Sequence, residues 1–219
     1  MGNSMLSEAA EFIKTRKKTN LAVVIINLAV FLVMELLGST GDAQFMASHG
    51  AMVIPMSNDP AQYYRLFTCM FLHFGMTHLF YNMLMLIFMG DLLEHYVGAV
   101  RYLLIYLGGG LIGNIVSAVF GTLRAEAEGR SYLTAAAGAS GAIFAVVGAL
   151  LLIAVQNRNR RIGLDTRRLA LMSALTLAGG LSQKGVDNLA HLGGFLGGAL
   201  LCFLVCRGGK RLKIRRWMP

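Results

Sequence analysis

Charged side chains are scarce in this chain of 219 residues. They make up 14% of it, while apolar and aromatic residues make up 56%; a typical soluble domain has about 25% charged residues. A soluble globule of this composition would lack the polar side chains needed to cover its surface. The sequence therefore argues against an ordinary soluble domain and favours a protein that lies in a lipid bilayer.

Cysteine is scarce as well, since the chain has only three, at Cys69, Cys202 and Cys206. They form no paired spacing pattern, and no Cys-x-x-Cys motif or close cluster of cysteine and histidine occurs. We therefore expect neither a disulfide framework nor a zinc site. Nothing else in the sequence implies a metal or an organic cofactor.

Long runs with almost no charge are abundant instead. Six of them predict membrane-spanning helices, at residues 21–37, 78–89, 102–120, 142–155, 169–181 and 189–205. Several are shorter than the ~20 residues that a full crossing needs, so we expect their helices to extend into flanking residues or to end below the membrane surface. No convincing small-x-small cleavage site follows the first run, which indicates a retained helix and not a signal peptide.

We predict an all-α, polytopic membrane protein with a bundle of six transmembrane helices. Its expected parts are a basic cytoplasmic segment (1–19), the membrane domain (20–206) and a basic cytoplasmic tail (207–219). With both termini in the cytoplasm, 16 of the 20 lysine and arginine residues lie inside, as positively charged loops prefer. The net charges are then +11 inside and −2 outside, so the overall +9 reflects topology and not nucleic acid binding.

Two segments outside the helices allow two interpretations each. The longest connection, residues 38–77, mixes apolar residues with Pro55, Asp59 and Pro60. This mixture suggests partial burial in the membrane interface, with a simple spacer as the alternative. The basic tail is either an orientation signal alone or also a site for anionic lipid headgroups.

Four polar side chains stand out at the starts of the predicted membrane helices. Ser140 begins the fourth helix, and His191 lies near the start of the sixth. His78 and Asn82 lie one turn apart at the start of the second. At about 1.5 Å per residue, Ser140, His191 and His78 all lie ~20–22 Å from the cytoplasmic end of their helices. They therefore share one level, roughly 10 Å below the outer face of the membrane.

This set of side chains suits nucleophilic catalysis. A histidine can take the proton of a serine hydroxyl, which makes the serine a nucleophile. Attack on a peptide carbonyl creates an oxyanion, for which the His78 imidazole, the Asn82 amide and the Ser140 backbone N–H are candidate donors. Ordinary helix packing or structural hydrogen bonds could also explain each residue. The shared depth favours the catalytic interpretation.

Small residues follow both members of this candidate dyad. They would let neighbouring helices approach closely enough for their side chains to form hydrogen bonds. Helix packing without a catalytic purpose is the alternative explanation. The small residues are Gly141, Ala145 and Ala149 after Ser140, and the pairs Gly193/Gly197 and Gly194/Gly198 after His191.

At these residues the sequence resembles the rhomboid family of intramembrane serine proteases, over about residues 50–206. The resemblance rests on the order of several motifs, since each alone is weak. They are Tyr64-Arg65-Leu66-Phe67-Thr68, Phe71-Leu72-His73-Phe74, His78-Leu79-Phe80-Tyr81-Asn82, Gly90-x-x-x-Glu94-x-x-x-Gly98, Gly138-Ala139-Ser140-Gly141 and Ala190-His191-Leu192-Gly193-Gly194. Tyr64 departs from the tryptophan that the family commonly has there.

The resemblance implies that Ser140 is the nucleophile and His191 the general base of a two-residue dyad. It also implies an oxyanion site formed by His78, Asn82 and the Ser140 amide, and it places Phe144 against the catalytic imidazole. The supporting positions that it implies are Gly138, Gly141, His73 and Tyr81. The fifth helix would be a mobile lateral gate, and its polar and small residues are Ser173, Thr176, Gly179 and Gly180.

Other polar residues have alternative roles. Asp187 lies one turn before His191 and could orient it as a third triad member, but a helix cap is the preferred interpretation at a helix start. His73 could be a second acid–base group, although its position before a helix suggests that it supports the loop or a water site. We expect Arg65 and Glu94 to be structural.

We therefore expect an intramembrane serine endopeptidase of the minimal six-helix form that is typical of bacteria, in the inner membrane. Its partners would be the lipid bilayer and single-span membrane proteins, cleaved near the outer end of their transmembrane helix. The alternatives are a rhomboid-like pseudoprotease that binds membrane clients without cleavage, or a small transporter. A pseudoprotease is disfavoured because the complete set of catalytic candidates is present. A transporter is disfavoured because these polar residues lie away from the middle of the membrane. The sequence does not indicate an oligomeric state.

Overall fold

The computed structural model describes residues 16–157 and 185–206, together with positions 166, 167, 170, 171 and 174. The fifth predicted span (169–181) lies outside the described residues except at three of these positions. All four of its proposed gate residues, Ser173, Thr176, Gly179 and Gly180, lie outside them. The same holds for residues 1–15 and for the basic tail at 207–219.

The described chain is mostly helical. In chain order its elements are α1 (Lys18–Leu37), α2 (Ala43–Ser48), β1 (Met52–Ile54), a 3-10 turn (Pro60–Gln62), α3 (Arg65–Thr68), a second 3-10 turn (Cys69–Phe71), α4 (Gly75–Met85), a π-helical turn (Leu86–Gly90), α5 (Asp91–Val97), α6 (Ala99–Ala127), β2 (Thr134–Ala136), α7 (Ser140–Gln156) and α8 (Asn188–Cys206). From α4 to α5 the chain is one continuous helix.

Four of the described helices are long and apolar enough to cross a membrane. They are α1, the continuous helix Gly75–Val97, α6 and α8. The shorter α7 is apolar as well and has 17 residues, so it ends below the surface or is completed by flanking residues. The predicted all-α membrane bundle is confirmed in the described part of the chain.

The long connection after α1 is folded and partly buried. Met46, Met52 and Met70 are at most 1% exposed, so this connection is not a simple spacer. Its strand β1 pairs in antiparallel register with β2, placing Met52 opposite Ala136. The two strands were not predicted, because three-residue strands are too short for an alternating pattern to be visible. They join the connection to the segment just before Ser140.

A buried polar network joins α1 to the end of the helix Gly75–Val97. The backbone N–H of Asn20 donates to the Glu94 carboxylate at 2.7 Å, and the Asn20 amide donates to Asp91 at 2.8 Å and to the Leu86 carbonyl at 3.0 Å. The Tyr102 hydroxyl of α6 donates to the Asn20 side-chain oxygen at 2.7 Å. The expected structural role of Glu94 is therefore to cap the first turn of α1.

Two glycines of α8 pack against α6, and two others pack against α7. Gly193 faces α6, because a methyl group there would lie 2.8 Å from Val116 Cβ. Gly194 faces α7, because a methyl group there would overlap the Gly141 carbonyl. Gly197 and Gly198 repeat these contacts one turn later. The two overlapping Gly-x-x-x-Gly pairs thus hold α8 between α6 and α7, with His191 one turn before them.

Candidate active site

The structure brings the predicted nucleophile and base together. Ser140 is the first residue of α7, and His191 lies in the first turn of α8. The Ser140 Oγ and His191 Nε2 atoms are 2.8 Å apart, which is a hydrogen bond length. Because the two helices meet at glycines, these short side chains reach each other. A hydroxyl in this position can pass its proton to the imidazole.

Phe144 lies one turn after Ser140 and covers one face of the imidazole. The ring centroids of Phe144 and His191 are 4.4 Å apart, with an angle of 25° between the planes. This stacking restricts rotation of the imidazole. The ring is further fixed by the hydrogen bond to Ser140.

Asp187 makes no hydrogen bond to the His191 imidazole within the described residues. One of its carboxylate oxygens accepts from the Ala190 N–H at 2.9 Å, which is the contact of a helix N-cap. The other accepts from the Ser117 hydroxyl of α6 at 2.5 Å. The Nδ1 atom of His191 is buried and has no hydrogen-bond partner within the described residues. The preferred interpretation of Asp187 as a cap agrees with this geometry.

The backbone just before Ser140 is fixed by two hydrogen bonds. The Gly138 N–H donates to the Cys69 carbonyl at 2.9 Å, and the Ala139 N–H donates to His73 Nε2 at 3.4 Å. The Ser140 N–H follows them at the start of α7, where N–H groups have no partner within the helix. An oxyanion placed there would meet an oriented donor and the positive end of the helix dipole.

His78 lies beside this backbone. A methyl group on Gly138 would come within 2.8 Å of His78 Cε1 and 3.7 Å of Ser140 Oγ. Gly138 also has φ +143°, a conformation that other residues rarely adopt. Glycine is therefore required here for two reasons, and the His78 imidazole and the Ser140 hydroxyl both lie around the position that a side chain at residue 138 would occupy.

Asn82 lies one turn after His78 on α4 and is buried. Its amide donates to the His78 carbonyl of the same helix at 3.1 Å. An amide carries two N–H donors, so this bond still leaves one for a ligand. The structure thus places Asn82 on the His78 side of α4, with part of its donor capacity used within the helix.

Two supporting positions have different outcomes. Gly141 lies against α8, since its carbonyl is the atom that a methyl group on Gly194 would overlap. Tyr81, in contrast, is 63% exposed, and its ring packs edge-on against Phe80. The position of the Tyr81 side chain gives no support to its predicted role at the site.

His73 is buried beside the backbone that precedes Ser140. It is 1% exposed, and its ring packs edge-on against His78 at 5.3 Å between centroids. Burial lowers the pKa of His73 from its ordinary value of 6.5 to about 3, and the neighbouring charge of protonated His78 adds to the effect. A neutral imidazole can accept the Ala139 N–H, which suits the predicted role in supporting the loop.

Sequence reasoning missed two polar residues of α6 that hold this region. Ser117 donates to Asp187, and the Asn114 amide donates to the Leu66 carbonyl at 2.8 Å. Both are buried. The available signal was their position as polar residues within an apolar run. Among the residues that the structure describes, no group of three or more His, Cys, Asp or Glu side chains could hold a metal ion.

Comparison with known proteins points to one family. Residues 60–208 match the Rhomboid domain family. The chain is 31% identical over 192 residues to Rhomboid protease GluP of Bacillus subtilis. The aligned region covers 88% of this chain and 36% of that protein. It is 40% identical over 159 residues to RHOMBOID-like protein 1 of Arabidopsis thaliana, covering 71% of this chain and 38% of the relative.

A third relative carries the name of a serine protease. The chain is 32% identical over 158 residues to Rhomboid-type serine protease 2 of Emericella nidulans, covering 71% of this chain and 29% of that protein. This chain therefore spans between 29% and 38% of the length of these three relatives. The aligned region includes the candidate site in the family match.

Proposed function

Because this chain belongs to the rhomboid family, we propose that it is an intramembrane serine endopeptidase with Ser140 as nucleophile and His191 as general base. The observation that carries the proposal is the 2.8 Å contact between Ser140 Oγ and His191 Nε2. The contact lies between two apolar helices, where polar side chains are costly and mark function. The names of two relatives, a rhomboid protease and a rhomboid-type serine protease, agree with a protease.

The reaction follows from the arrangement of the donors. His191 takes the Ser140 proton as Oγ attacks the peptide carbonyl, and the Ser140 N–H stabilises the resulting oxyanion. The His78 imidazole and the second Asn82 N–H are the side-chain donors that we assign to the same oxyanion. His191 then returns the proton to the leaving amine, which leaves an acyl ester on Ser140. Water, activated by His191, hydrolyses this ester.

We propose single-span membrane proteins as substrates, cleaved near the outer end of their transmembrane helix. Support comes from the level of the dyad, roughly 10 Å below the outer face of a ~30 Å hydrocarbon layer. A peptide bond reaches that level only if the substrate lies in the membrane, and the helix there must unwind to expose its backbone. The charge distribution supports an inner membrane location with both termini in the cytoplasm.

A cleavage assay with the purified protein in liposomes tests this function. Ser140→Ala and His191→Ala should each lower kcat by about 10³-fold or more, because nucleophile and base act as one unit. A fluorophosphonate probe should label the wild type and fail to label Ser140→Ala. Full cleavage by either variant would contradict the mechanism. Client binding without labelling or cleavage by the wild type would indicate a pseudoprotease instead.

The chain provides a matched control for this assay. Ser48 and His49 also form a serine–histidine hydrogen bond, with 2.9 Å between Ser48 Oγ and His49 Nδ1. This pair is exposed on the outer connection and lies outside the candidate site. Ser48→Ala should therefore retain labelling and cleavage. If this variant lost activity, the assay would respond to the loss of any serine–histidine pair and not to the candidate site alone.

A further inference from the structure

One carboxylate links the start of α8 to α6. Asp187 accepts from the Ala190 N–H of α8 through Oδ1 at 2.9 Å and from the Ser117 hydroxyl of α6 through Oδ2 at 2.5 Å. Ser117 is 1% exposed. The residue that caps α8 thus also determines where the first turn of α8 lies relative to α6.

The backbones of the two helices lie very close at this point. A methyl group on Gly113 of α6 would lie 2.5 Å from the Ala190 carbonyl oxygen. Few side chains therefore separate the helices near His191. Glycines allow this close approach, but they have no side chain with which to form a directional contact. The Ser117–Asp187 hydrogen bond supplies a directional contact at this end of the interface.

The position of His191 depends strongly on the backbone of α8. Most catalytic bases depend less on the backbone of their own helix. Phe144 stacks on its ring and Ser140 bonds to Nε2, but Nδ1 has no hydrogen-bond partner within the described residues. Within the described residues, no side chain forms a hydrogen bond with Nδ1, as the aspartate of a triad does. The location of the α8 backbone must therefore define how close Nε2 comes to Ser140.

We propose that Ser117 and Asp187 form a positioning pair that keeps His191 within hydrogen-bond distance of Ser140. The proposal rests on the proposed function, because it assigns the pair a role in that reaction. The pair acts through the first turn of α8 and touches neither substrate nor reacting atoms. A displacement of about 1 Å at a catalytic group can cost 10²-fold in rate, so a small movement of α8 is sufficient for a measurable effect.

Ser117→Ala tests the pair, because it removes the contact to α6 and leaves the cap on Ala190 intact. We expect kcat for a liposome-embedded substrate to fall about tenfold, with KM unchanged within twofold. Asp187→Asn keeps a cap oxygen and gains an N–H that can donate to Ser117, so its kcat should remain within threefold of wild type. Adding Ser117→Ala to Asp187→Ala should cause no further loss, since the two residues act together.

Thr122→Val is the matched control on the same helix. Its hydroxyl accepts from the Met56 N–H at 2.8 Å, so the variant also loses one hydrogen bond of α6, but at a contact that does not involve α8. Its kcat should equal that of wild type. An equal fall in kcat for Thr122→Val and Ser117→Ala would overturn the proposal in favour of a general effect on folding.

Three other outcomes distinguish failure of the positioning pair from failure of the proposed function. If the wild type cleaves and is labelled by the fluorophosphonate, and Ser117→Ala does both at the wild-type rate, the positioning pair is wrong and the proposed function stands. If Ser117→Ala raises KM and leaves kcat unchanged, the pair serves substrate binding and the proposal is also wrong. If the wild type neither cleaves nor is labelled, the proposed function fails, and this inference fails with it.

Discussion

Gly138, two residues before Ser140, shows how strictly single residues are constrained at the candidate site. Gly138 combines φ +143° with a methyl position only 2.8 Å from His78 Cε1. Its N–H is bonded to the Cys69 carbonyl. The residue thus orients the start of α7 and leaves room for the His78 imidazole. Neither requirement could be read from the sequence, in which Gly138 stood out only as part of a short motif.

Gly138→Ala should therefore impair catalysis. The new methyl group would displace His78 and strain the backbone that orients the Ser140 N–H, and loss of an oxyanion donor costs about 10²-fold in kcat. Cleavage kinetics in liposomes measure the effect.

Gly129→Ala is the control for Gly138→Ala. Gly129 also has positive φ, at +61°, but a methyl group there would meet nothing within 4 Å. It should leave kcat unchanged. An equal loss in both variants would mean that backbone strain alone, and not the crowding of His78, explains the effect.

At the scale of elements, apolar runs predicted the membrane helices well but not where they end. The run at 78–89 stops before Asp91 and Glu94 because carboxylates are costly in lipid. The helix nevertheless continues to Val97, since Asn20 donates to both carboxylates from a neighbouring helix and Arg16 forms an ion pair with Asp91 at 3.4 Å. Such pairing depends on tertiary structure, and a single sequence does not reveal it.

The dyad illustrates the opposite case. Ser140 and His191 could be predicted because two polar residues at one depth are conspicuous in apolar helices. Their common level follows from helix geometry alone. Ser117 was missed because a lone serine in an apolar helix has many explanations, and only its 2.5 Å contact with Asp187 distinguishes it.

Asn20→Ala should destabilise the protein without changing the dyad. The variant removes the side-chain donor to Asp91 and to the Leu86 carbonyl and leaves the buried Tyr102 hydroxyl without its acceptor, which costs about 2–4 kcal/mol of unfolding free energy. Reversible unfolding in mixed micelles measures this loss. Fluorophosphonate labelling of the folded fraction should match wild type, because the network lies at the far end of the helix Gly75–Val97 from His78.

Asn157→Ala serves as the control for Asn20→Ala. Among the residues that the structure describes, the Asn157 amide donates to the Ile153 carbonyl one turn earlier at 2.9 Å and to no other group, so the change should cost much less than that at Asn20. A similar loss of stability in both variants would contradict the role assigned to the network.

For the whole molecule, the sequence predicted the class of fold. An apolar chain with only 14% charged residues could be assigned to a membrane without any structure. The location of 16 of its 20 basic residues on the cytoplasmic side stays a prediction. The folded outer connection could not be predicted in the same way. Its buried residues, such as Met46 and Met52, lie in short elements that have no clear period.

The stability of the whole molecule should depend on pH through His73. Its pKa is about 3 in the folded protein and 6.5 ordinarily. Between these values the unfolded chain binds more protons, so stability should fall as the pH is lowered from about 6.5 towards 3. One such group contributes at most about 1.4 kcal/mol per pH unit. Above pH 7 the contribution is constant.

Thermal unfolding between pH 4 and 8 checks this dependence. His73→Gln should reduce its slope, because glutamine does not bind a proton in this range. His49→Gln, which replaces an exposed histidine of the outer connection, is the control and should leave the slope unchanged. An unaltered slope in His73→Gln would show that other groups cause the acid sensitivity.

The glycine contacts of α8 also limit how a substrate helix can reach the dyad. Gly193 and Gly197 of α8 pack against α6, and Gly194 and Gly198 of α8 pack against α7. Helices in such close contact leave no space between them for a substrate helix about 10 Å wide, so α6, α7 and α8 form a closed three-helix body. If the protein is a protease, its lateral entrance must therefore open between this three-helix body and the rest of the protein, and not within the body itself.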